Sequence, residues 1–414
     1  MTGAAHQLCR FCRSPLNQTV VDLGLSPLCE SVRRSEQMDT PEIFYPLHVL
    51  VCNSCWLVQL KEYVAPAEIF SEYAYFSSMS DSWVAHAKKY AEDMIARFHL
   101  DGGSRVVEIA SNDGYLLQHF ARAGIPTLGI EPAANIAAVA KSKGIDCVVK
   151  FFGSATAQEL SLSRDKPNLL IGNNVLAHVP DLNDFVEGLK ILLADDGVIT
   201  MEFPHLVRLM EENQFDTIYH EHFSYLSLTT VEKIFAYHGL RLFDVQELST
   251  HGGSLRIFAT HDESAQHYQT DSLQRVITKE HDFGITNVDT YRAFAGRVQH
   301  TKFSILKFLL DAKLAEKKVV GYGAPGKGVT LLNYCGIRQD LLEYTVDRNQ
   351  YKQGTYVPGT GIAICAPERI FETKPDFVLI LPWNLKKEIV EQMQAIRSWG
   401  GKFVVPIPHI AVLD

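Results

Sequence analysis

The hydrophobic and polar positions of the chain follow three successive patterns. Residues 1–72 consist of short apolar segments, turns and pairs of cysteines. Between residues 82 and 262, amphipathic segments alternate with short apolar runs, which predicts helices at 83–98, 115–123 and 134–143 and strands at 105–109, 127–130, 147–149, 168–172 and 197–202. Because strands separated by helices of about 10–15 residues form βαβ units, this pattern predicts a parallel sheet covered by helices.

The third pattern begins with a long polar-amphipathic helical region at 272–316. A second alternating series follows it, with strands predicted at 318–321, 342–346, 376–380 and 402–405. The sequence therefore predicts an α/β protein with a small cysteine module at 1–72 and two α/β domains, at 73–262 and 263–414. A length of 414 residues is sufficient for three domains, since one domain takes about 100–200 residues.

Composition excludes some classes of protein. The chain is 46% hydrophobic and carries 39 basic and 48 acidic side chains, a formal net charge of -9. Nucleic-acid-binding proteins normally carry a basic excess, so we expect no nucleic-acid partner. No apolar run approaches the roughly 18 residues of a membrane span, and the N-terminus lacks the features of a signal peptide. We expect a cytoplasmic protein without a membrane partner, either a monomer or a small homo-oligomer.

Two pairs of cysteines have the spacing of a metal-binding module. Cys9 and Cys12 form one Cys-x2-Cys turn, and Cys52 and Cys55 form another at the far end of the module. Two such turns complete a tetrahedral shell of four sulfurs around zinc. Because protein fills all four positions, the zinc is expected to be structural rather than catalytic. The other cysteines lack paired spacing and are expected to be buried thiols: Cys29, Cys147, Cys335 and Cys365.

The first α/β domain begins with an apolar strand that ends near Glu108 and continues into a turn of small and polar residues up to Gly114. The next strand ends at Glu131. In nucleotide-binding α/β folds, such an acid accepts hydrogen bonds from ribose hydroxyls. Ala110 and Asn112 stand where a pyrophosphate site would have glycines, which favours S-adenosylmethionine, a cofactor with a ribose but no diphosphate. A surface acid at a strand end is the alternative for Glu131.

Further polar residues follow the next two strands. Asn173, Asn174 and His178 come after one strand, and Glu202 and His205 come at the end of the other. Ligands of open α/β sheets lie beyond the carboxyl ends of the strands. These residues are therefore expected at the functional edge of the sheet, although each taken singly is also compatible with a structural role.

The densest group of titratable residues is Tyr219-His220-Glu221-His222. Imidazole has a pKa near neutrality, and a neighbouring carboxyl and phenol can orient it, so the group predicts a general base. A metal site and a packed loop with satisfied polar groups are the alternatives. A second loop combines His251 with two glycines before a strand predicted at 255–259, and a simple hairpin turn is its alternative.

The last α/β domain opens with a glycine-rich turn. Gly321, Gly323 and Gly326 follow a strand and begin a helix, Lys327 lies beside them, and Asp347 closes the next strand. Backbone N–H groups at a helix N-terminus bind phosphate, the acid suits a ribose, and the lysine adds charge for a diphosphate. Nicotinamide cofactors and nucleoside-diphosphate ligands are both compatible, and a tight turn for packing alone is the alternative.

Taken in order, these motifs resemble the nucleotide-sugar C-methyltransferases, close to the enzymes that methylate C3 of dTDP-4-keto-6-deoxy sugars. The similarity covers nearly the whole chain. It is carried by the two cysteine turns and by the segments 73–78 (YAYFSS), 108–114, 129–132 (GIEP), 174–180, 219–223 (YHEHF), 251–253 (HGG), 321–327, 333–337 (NYCGI), Asp347 and 382–384 (PWN).

The resemblance implies a fold and a set of roles. The fold is a zinc-binding module, a Rossmann-like domain that binds S-adenosylmethionine and a C-terminal Rossmann-like domain that holds a nucleotide-diphosphate sugar. The implied catalytic residues are His222 as the base, Tyr219 and Glu221 as residues that assist it, and Tyr75 and His178, which line the site. Some relatives carry Asp or Ser where this chain has His220, which leaves open which of the two imidazoles dominates.

The resemblance also implies two sets of binding residues. The cofactor set is Glu108, Ala110, Asn112, Asp113, Gly114, Glu131, Pro132, Asn173 and Asn174. The substrate set is Ser77, Ser78, His251, Gly252, Gly321, Gly323, Ala324, Lys327, Asp347, Trp383 and Asn384.

The sequence thus predicts an S-adenosylmethionine-dependent C-methyltransferase. A ketone at C4 of a nucleotide-linked sugar acidifies the proton at C3, so a neutral imidazole can remove it and the enolate can take a methyl group. An NAD-dependent sugar-nucleotide oxidoreductase that uses the turn at 321–326 is the alternative. A zinc-containing binding module without turnover is a third reading.

Overall fold

The computed structural model describes residues 7–65, 68 and 76–413. Its strands are β1 (Gln18–Ser26), β2 (Tyr45–Val51), β3 (Val58–Leu60), β4 (Val106–Ile109), β5 (Thr127–Ile130), β6 (Cys147–Val148), β7 (Leu169–Asn173), β8 (Val198–Pro204), β9 (Ser224–Tyr225), β10 (Leu240–Leu248), β11 (Ser254–His261), β12 (Val319–Tyr322), β13 (Tyr344–Val346), β14 (Ala363–Cys365), β15 (Phe377–Ile380), β16 (Lys402–Val405) and β17 (Ala411–Leu413).

The α-helices are α1 (Asp81–Phe98), α2 (Leu117–Arg122), α3 (Ala134–Ser142), α4 (Ser154–Ser163), α5 (Leu182–Leu192), α6 (Leu206–Glu211), α7 (Leu228–Tyr237), α8 (Asp271–Phe283), α9 (Val288–Leu314), α10 (Gly326–Cys335), α11 (Arg369–Thr373) and α12 (Lys386–Gln392). Short 3-10 helices lie at Ser35–Gln37, Ser77–Met79, Leu176–His178, Phe215–Thr217, Thr250–Gly252, Trp383–Leu385 and Gln394–Trp399. Among the helices in the described ranges, none has the length and apolar character needed to cross a membrane.

The chain divides into two compact units, each built from separate stretches. The first unit comprises Met1–Leu16, Cys52–His205 and Phe223–Thr286, and the second comprises Asn17–Val51, Leu206–His222 and Asn287–Asp414. The division into domains at 1–72, 73–262 and 263–414 stays a prediction, because these units follow contacts in space rather than sequence order.

The first unit contains a seven-stranded sheet in the order β10-β11-β8-β7-β4-β5-β6. The five strands from β8 to β6 are parallel, and β11 and β10 add an antiparallel hairpin beside β8. The chain starts in the centre at β4, proceeds to β6 on one side and then returns to β7 and β8 on the other. Open α/β sheets bind ligands where the strand order reverses, so the end of β4 is the expected cofactor position.

Helix α1 shows how the sequence positions an element on this sheet. The Ser80 hydroxyl accepts a hydrogen bond from the Trp83 N–H and so caps the helix N-terminus. Tyr90, Ala91 and Met94, at the spacing of one helix face, are buried in the core with Phe120. The same unit holds the short antiparallel pair of β3 and β9.

The second unit contains a six-stranded sheet in the order β14-β13-β12-β15-β16-β17, parallel except for β17. Its central strand β12 runs into the glycine-rich turn and α10, again where the strand order reverses. The antiparallel pair of β1 and β2 and the long helix α9 belong to this unit. The two sheets confirm the predicted α/β class.

The helical region expected at 272–316 is two helices rather than one. Gly284 ends α8 in the left-handed conformation, with φ of 86°. Asn287 then caps α9 by accepting a hydrogen bond from the Asp289 N–H. Glycine stops a helix in this way because it adopts positive φ without steric cost.

Candidate active site and metal centre

The four cysteines of the predicted zinc turns come together in the first unit. Their sulfurs all lie within 4.8 Å of one another. Cys9 Sγ lies 3.5 Å from Cys55 Sγ, and Cys12 Sγ lies 3.5 Å from Cys52 Sγ. A tetrahedral shell with Zn–S bonds of about 2.3 Å needs sulfurs about 3.8 Å apart. The donor set and its spacing therefore fit a structural zinc ion.

Neighbouring donors stabilise the thiolate form that zinc requires. Gln59 Nε2 donates to Cys9 Sγ over 3.2 Å. The hydrogen bonds from Cys55 and Gln59 lower the pKa of the Cys9 thiol against the effect of burial, and the same Cys9–Cys55 contact raises the pKa of Cys55. Within the described residues, no second group of three or more His, Cys, Asp or Glu side chains is arranged to hold a metal ion. The metal-site alternative for the segment 219–222 therefore has no support.

The turn after β4 has the backbone shape expected of a ligand-binding turn. Ala110, Asn112 and Gly114 all have positive φ, at 53°, 50° and 77°. A Cβ atom on Gly114 would lie 3.0 Å from the Ile145 side chain, so glycine is required there for both conformation and space. The turn lies between β4 and α2.

Glu131, the predicted ribose acid, holds this turn in place. Its Oε2 accepts the Asn112 N–H over 3.0 Å, and its Oε1 accepts the Ala133 N–H over 2.9 Å. Pro132 is half-buried and lies between Glu131 and Ala133 in the sequence. A carboxylate has about four acceptor positions, so two backbone bonds still leave capacity for ribose hydroxyls.

Buried polar atoms around the turn fit a polar ligand. Glu108 Oε2, Asp113 Oδ1 and Asn173 Oδ1 are buried and have no hydrogen-bond partner among the described residues. Burial, followed by the charges of Glu131 and Asp113, raises the pKa of Glu108 well above its usual range. Since buried polar groups in native proteins are nearly always paired, these atoms mark a place where a polar ligand would bind.

Ser77 and Ser78, which the resemblance assigns to the substrate, lie against the turn after β4. The Ser77 N–H donates to Asn112 Oδ1 over 2.9 Å, and the Ser78 hydroxyl donates to Asp113 Oδ2. Lys143 Nζ binds the same carboxylate at 2.9 Å and the Asp113 carbonyl oxygen at 3.0 Å. Tyr75, predicted to be catalytic, lies outside the described residues.

A buried ion pair joins the neighbouring strands β8 and β11 of the same sheet. Arg256 Nε donates to Glu202 Oε1 over 2.7 Å, and His86 Nε2 lies 3.1 Å from Glu202 Oε2. Burial alone would raise the pKa of Glu202, but the hydrogen bond from His86 and the charge of Arg256 hold it below its usual value. The Asn174 N–H donates to the Glu202 carbonyl oxygen over 2.8 Å. Glu202 therefore joins three elements at this edge.

The other predicted residues of this edge differ in their surroundings. His205 Nε2 lies 2.8 Å from Glu280 Oε1, and that carboxylate also accepts the first N–H groups of α7, which gives both residues a structural role. His178 is half-buried in the 3-10 helix Leu176–His178. His251 is exposed in the β10–β11 connection, beside Gly252, and its ring lies 5.1 Å from that of Trp83.

In the second unit, the segment 215–222 fixes the orientation of His222. His222 Nδ1 lies 2.8 Å from the Thr217 carbonyl oxygen. A carbonyl can only accept, so Nδ1 carries a proton, and in the neutral ring the lone pair lies on Nε2. The Tyr219 ring lies 4.0 Å from the His222 ring, centroid to centroid. This is the tautomer that a general base using Nε2 requires.

His220 and Glu221 have different surroundings. His220 is buried, and its Nε2 lies 3.2 Å from the Pro46 carbonyl oxygen. Burial lowers the pKa of His220, so its imidazole is held neutral. Glu221 is also buried and accepts a hydrogen bond from the Cys29 thiol, with Sγ 3.4 Å from Oε1. Burial, followed by repulsion from Glu30, raises the pKa of Glu221 to about 7.

The glycine-rich turn after β12 repeats the arrangement of the first unit. Asp347 Oδ2 accepts the Ala324 N–H over 2.7 Å, as Glu131 accepts that of Asn112. Gly323 has φ of 89°, and a Cβ atom on it would lie 2.5 Å from Pro382 Cδ. Gly321 is buried in β12 itself. The acid after the second strand therefore supports the turn in both units.

Lys327, Trp383 and Asn384, which the resemblance assigns to the substrate, lie together. Lys327 Nζ donates to Asn384 Oδ1 over 2.8 Å and lies 4.5 Å from the centre of the Trp383 ring. The Trp383 indole N–H donates to Asp216 Oδ2 over 2.7 Å. Burial raises the pKa of Asp216 to about 6, although Lys327 and the indole oppose this.

Sequence reasoning missed several residues that contact these sites, among them His86, Lys143 and Asp216. His86 and Lys143 lie outside any motif, so no local pattern marks them. Asp216 lies three residues before Tyr219, close to the group of titratable residues at 219–222. That proximity was the signal available in the sequence.

Three family matches cover most of the chain. Residues 9–70 match a family described as "Putative zinc binding domain", residues 83–245 match a methyltransferase domain, and residues 249–408 match a C-methyltransferase C-terminal domain. The chain is 36% identical over 406 residues to C-methyltransferase NovU from Streptomyces niveus, which covers 98% of this chain and 96% of that protein. The chain belongs to the C-methyltransferase family.

Two solved structures of methyltransferases are similar to part of this chain. Magnesium protoporphyrin IX methyltransferase from Synechocystis is 16% identical with a TM-score of 0.33, covering 43% of this chain and 79% of that one. An S-adenosylmethionine-dependent methyltransferase from Anabaena variabilis is 12% identical with a TM-score of 0.36, covering 43% and 86%. These likenesses add nothing to the family assignment.

Family membership makes the protein an S-adenosylmethionine-dependent C-methyltransferase with an N-terminal zinc-binding module. Neither the family matches nor the relative supports the NAD-dependent oxidoreductase. The hypothesis of a binding module without turnover is likewise unsupported, since both family matches outside the zinc module describe methyltransferases.

Proposed function

We propose that this methyltransferase acts on C3 of a nucleotide-diphosphate-linked 4-keto-6-deoxy sugar, with His222 as the general base. The observation that carries the proposal is the hydrogen bond between His222 Nδ1 and the Thr217 carbonyl, which directs the lone pair of the imidazole to Nε2. His220 is the weaker candidate, because it is buried and its Nε2 faces the Pro46 carbonyl.

Carbon methylation requires an enolate. The ketone at C4 acidifies the C3 proton, His222 Nε2 takes that proton, and the electron pair of the C–H bond moves into the enolate. When bound, S-adenosylmethionine supplies an electrophilic methyl group on a sulfonium sulfur. The enolate carbon would accept this methyl group, with S-adenosylhomocysteine as the leaving group, and Glu131 and the turn at 110–114 would hold the cofactor. Tyr219 and, on the resemblance, Tyr75 and His178 are assigned as donors to the enolate oxygen.

The remaining binding residues keep the roles given by the resemblance. In the cofactor set, Glu131 and the positive-φ turn at 110–114 are supported by their geometry, and Ser77 and Ser78 join this set through their contacts with the turn. In the substrate set, the nucleoside diphosphate is assigned to the turn at 321–327 with Asp347, Trp383 and Asn384. His251 and Gly252 stay assigned to the sugar. The cytoplasmic location and the monomeric or small homo-oligomeric state belong to the same proposal.

Exchange of the C3 hydrogen in deuterated water tests the base separately from methyl transfer. With dTDP-, GDP- and CDP-linked 4-keto-6-deoxy sugars, the wild-type protein should exchange C3–H without S-adenosylmethionine and methylate C3 with it. The His222→Gln variant should lose about 10²- to 10⁴-fold in exchange rate. The His220→Gln variant, its matched control, should lose far less. Near-normal exchange in His222→Gln, or methylation at another carbon, would overturn the proposal.

A further inference from the structure

The carboxyl of Glu221 lies in a pocket formed by residues distant in sequence. Cys29 follows β1 by three residues, and its thiol donates a hydrogen bond to Glu221 Oε1. Cys29 also packs against the start of α10, since a Cβ atom on Gly326 would lie 2.9 Å from its sulfur. All of these residues belong to the second unit. Cys29 therefore connects Glu221 to the glycine-rich turn.

An ion pair completes the pocket. Lys352 Nζ lies 2.8 Å from Glu30 Oε2 and donates to the Ala324 carbonyl oxygen over 3.0 Å. The Lys352 side chain is 15% exposed, and that of Glu30 is 37% exposed. Lys352 is thus held between Glu30 and the glycine-rich turn. Asp347 is a further acid whose charge acts on Lys352.

We propose that Cys29, Glu30 and Lys352 are positioning residues for Glu221: the Cys29 thiol holds its carboxyl in place, and the Glu30–Lys352 ion pair beside Cys29 sets whether that carboxyl carries a proton during methylation. This inference rests on the proposed function, in which Glu221 assists His222. The groups that act on the Glu221 carboxyl are Glu30, Cys29 and Lys352. Glu30 repels the ionised form, whereas the Cys29 hydrogen bond and the Lys352 charge stabilise it, so the members of the pocket have opposite effects.

These opposite effects give a test that a purely structural role would not pass. The ionisation of Glu221 is followed by carbon-13 NMR of the full-length protein labelled at glutamate carboxyl carbons, and its signal is assigned by its loss in Glu221→Gln. Glu30→Gln should lower the titration midpoint and Lys352→Met should raise it, each by about half a unit or more. Cys29→Ala should also raise it, and Cys29→Ser, which keeps a donor, should restore most of the change.

Cys365→Ala is the matched control, because Cys365 is a half-buried thiol of the same unit with other neighbours. It should leave the midpoint unchanged. Because Glu30 is partly exposed, Glu30→Gln provides the sign test even where Lys352→Met fails to fold. Shifts of the same sign in Glu30→Gln and Lys352→Met, or no shift in Glu30→Gln, would overturn the proposal.

The pH profile of methyl transfer provides the second readout. The profile of kcat/KM should shift in the same direction as the NMR midpoint in each variant, and a profile that stays fixed while the midpoint moves would also overturn the proposal. The NMR titration needs no substrate. If no keto sugar is methylated at C3, the proposed function fails, while the midpoint shifts still decide how the pocket acts on Glu221.

Discussion

The Asp216→Asn variant should change how stability depends on pH. Asp216 is fully buried and accepts the Trp383 indole N–H, and burial raises its pKa from 3.8 to about 6. Folded Asp216 therefore keeps its proton to higher pH than the unfolded chain does. As pH rises from well below 3.8 to well above 6, stability falls by about 3 kcal/mol in all, which is 2.2 units at about 1.36 kcal/mol each. The loss is nearly complete about one pH unit above the folded pKa.

Asparagine has no ionisation, and its amide oxygen can still accept from Trp383. Between pH 5 and pH 8, the wild-type protein should lose about 1.4 kcal/mol that the Asp216→Asn variant does not lose. Equilibrium urea unfolding at both pH values measures this difference, and other titrating groups, Glu221 among them, cancel in the comparison. If the two proteins lose stability in parallel over this range, the buried carboxyl does not have the environment described here.

Three further predictions concern zinc, the glycine-rich turn and the cofactor turn. Cys12→Ser should lower bound zinc from one per chain and reduce thermal stability, as measured by metal analysis and circular dichroism; an unchanged zinc content would refute the four-sulfur site. Gly323→Ala should destabilise the protein by about 1–3 kcal/mol more than Gly336→Ala, because both glycines have positive φ but only the first meets Pro382; equal unfolding free energies would contradict this. Lys143→Met should weaken S-adenosylhomocysteine binding about tenfold by calorimetry, because Lys143 holds Asp113; an unchanged affinity would remove Lys143 from the site.

Local patterns determined much of this protein. The two Cys-x2-Cys turns, the apolar strands β4 and β12 and the turns that follow them are all readable in the sequence, because each depends on residues close together in the chain. The same holds for the acids after the second strands, although their contacts with the turns were not predicted: Glu131 and Asp347 bind backbone N–H groups there.

Only the tertiary structure decided which groups surround the reactive segment. Two histidines two positions apart look alike in the sequence, but burial beside Pro46 separates His220 from His222. A partner of Glu221 is Cys29, 192 positions away, and one of the partners of Glu202 is His86, 116 positions away. Such contacts depend on how distant segments pack, and packing also sets the burial that shifts a pKa. The sequence therefore identifies the chemical groups, whereas the fold determines their protonation and orientation.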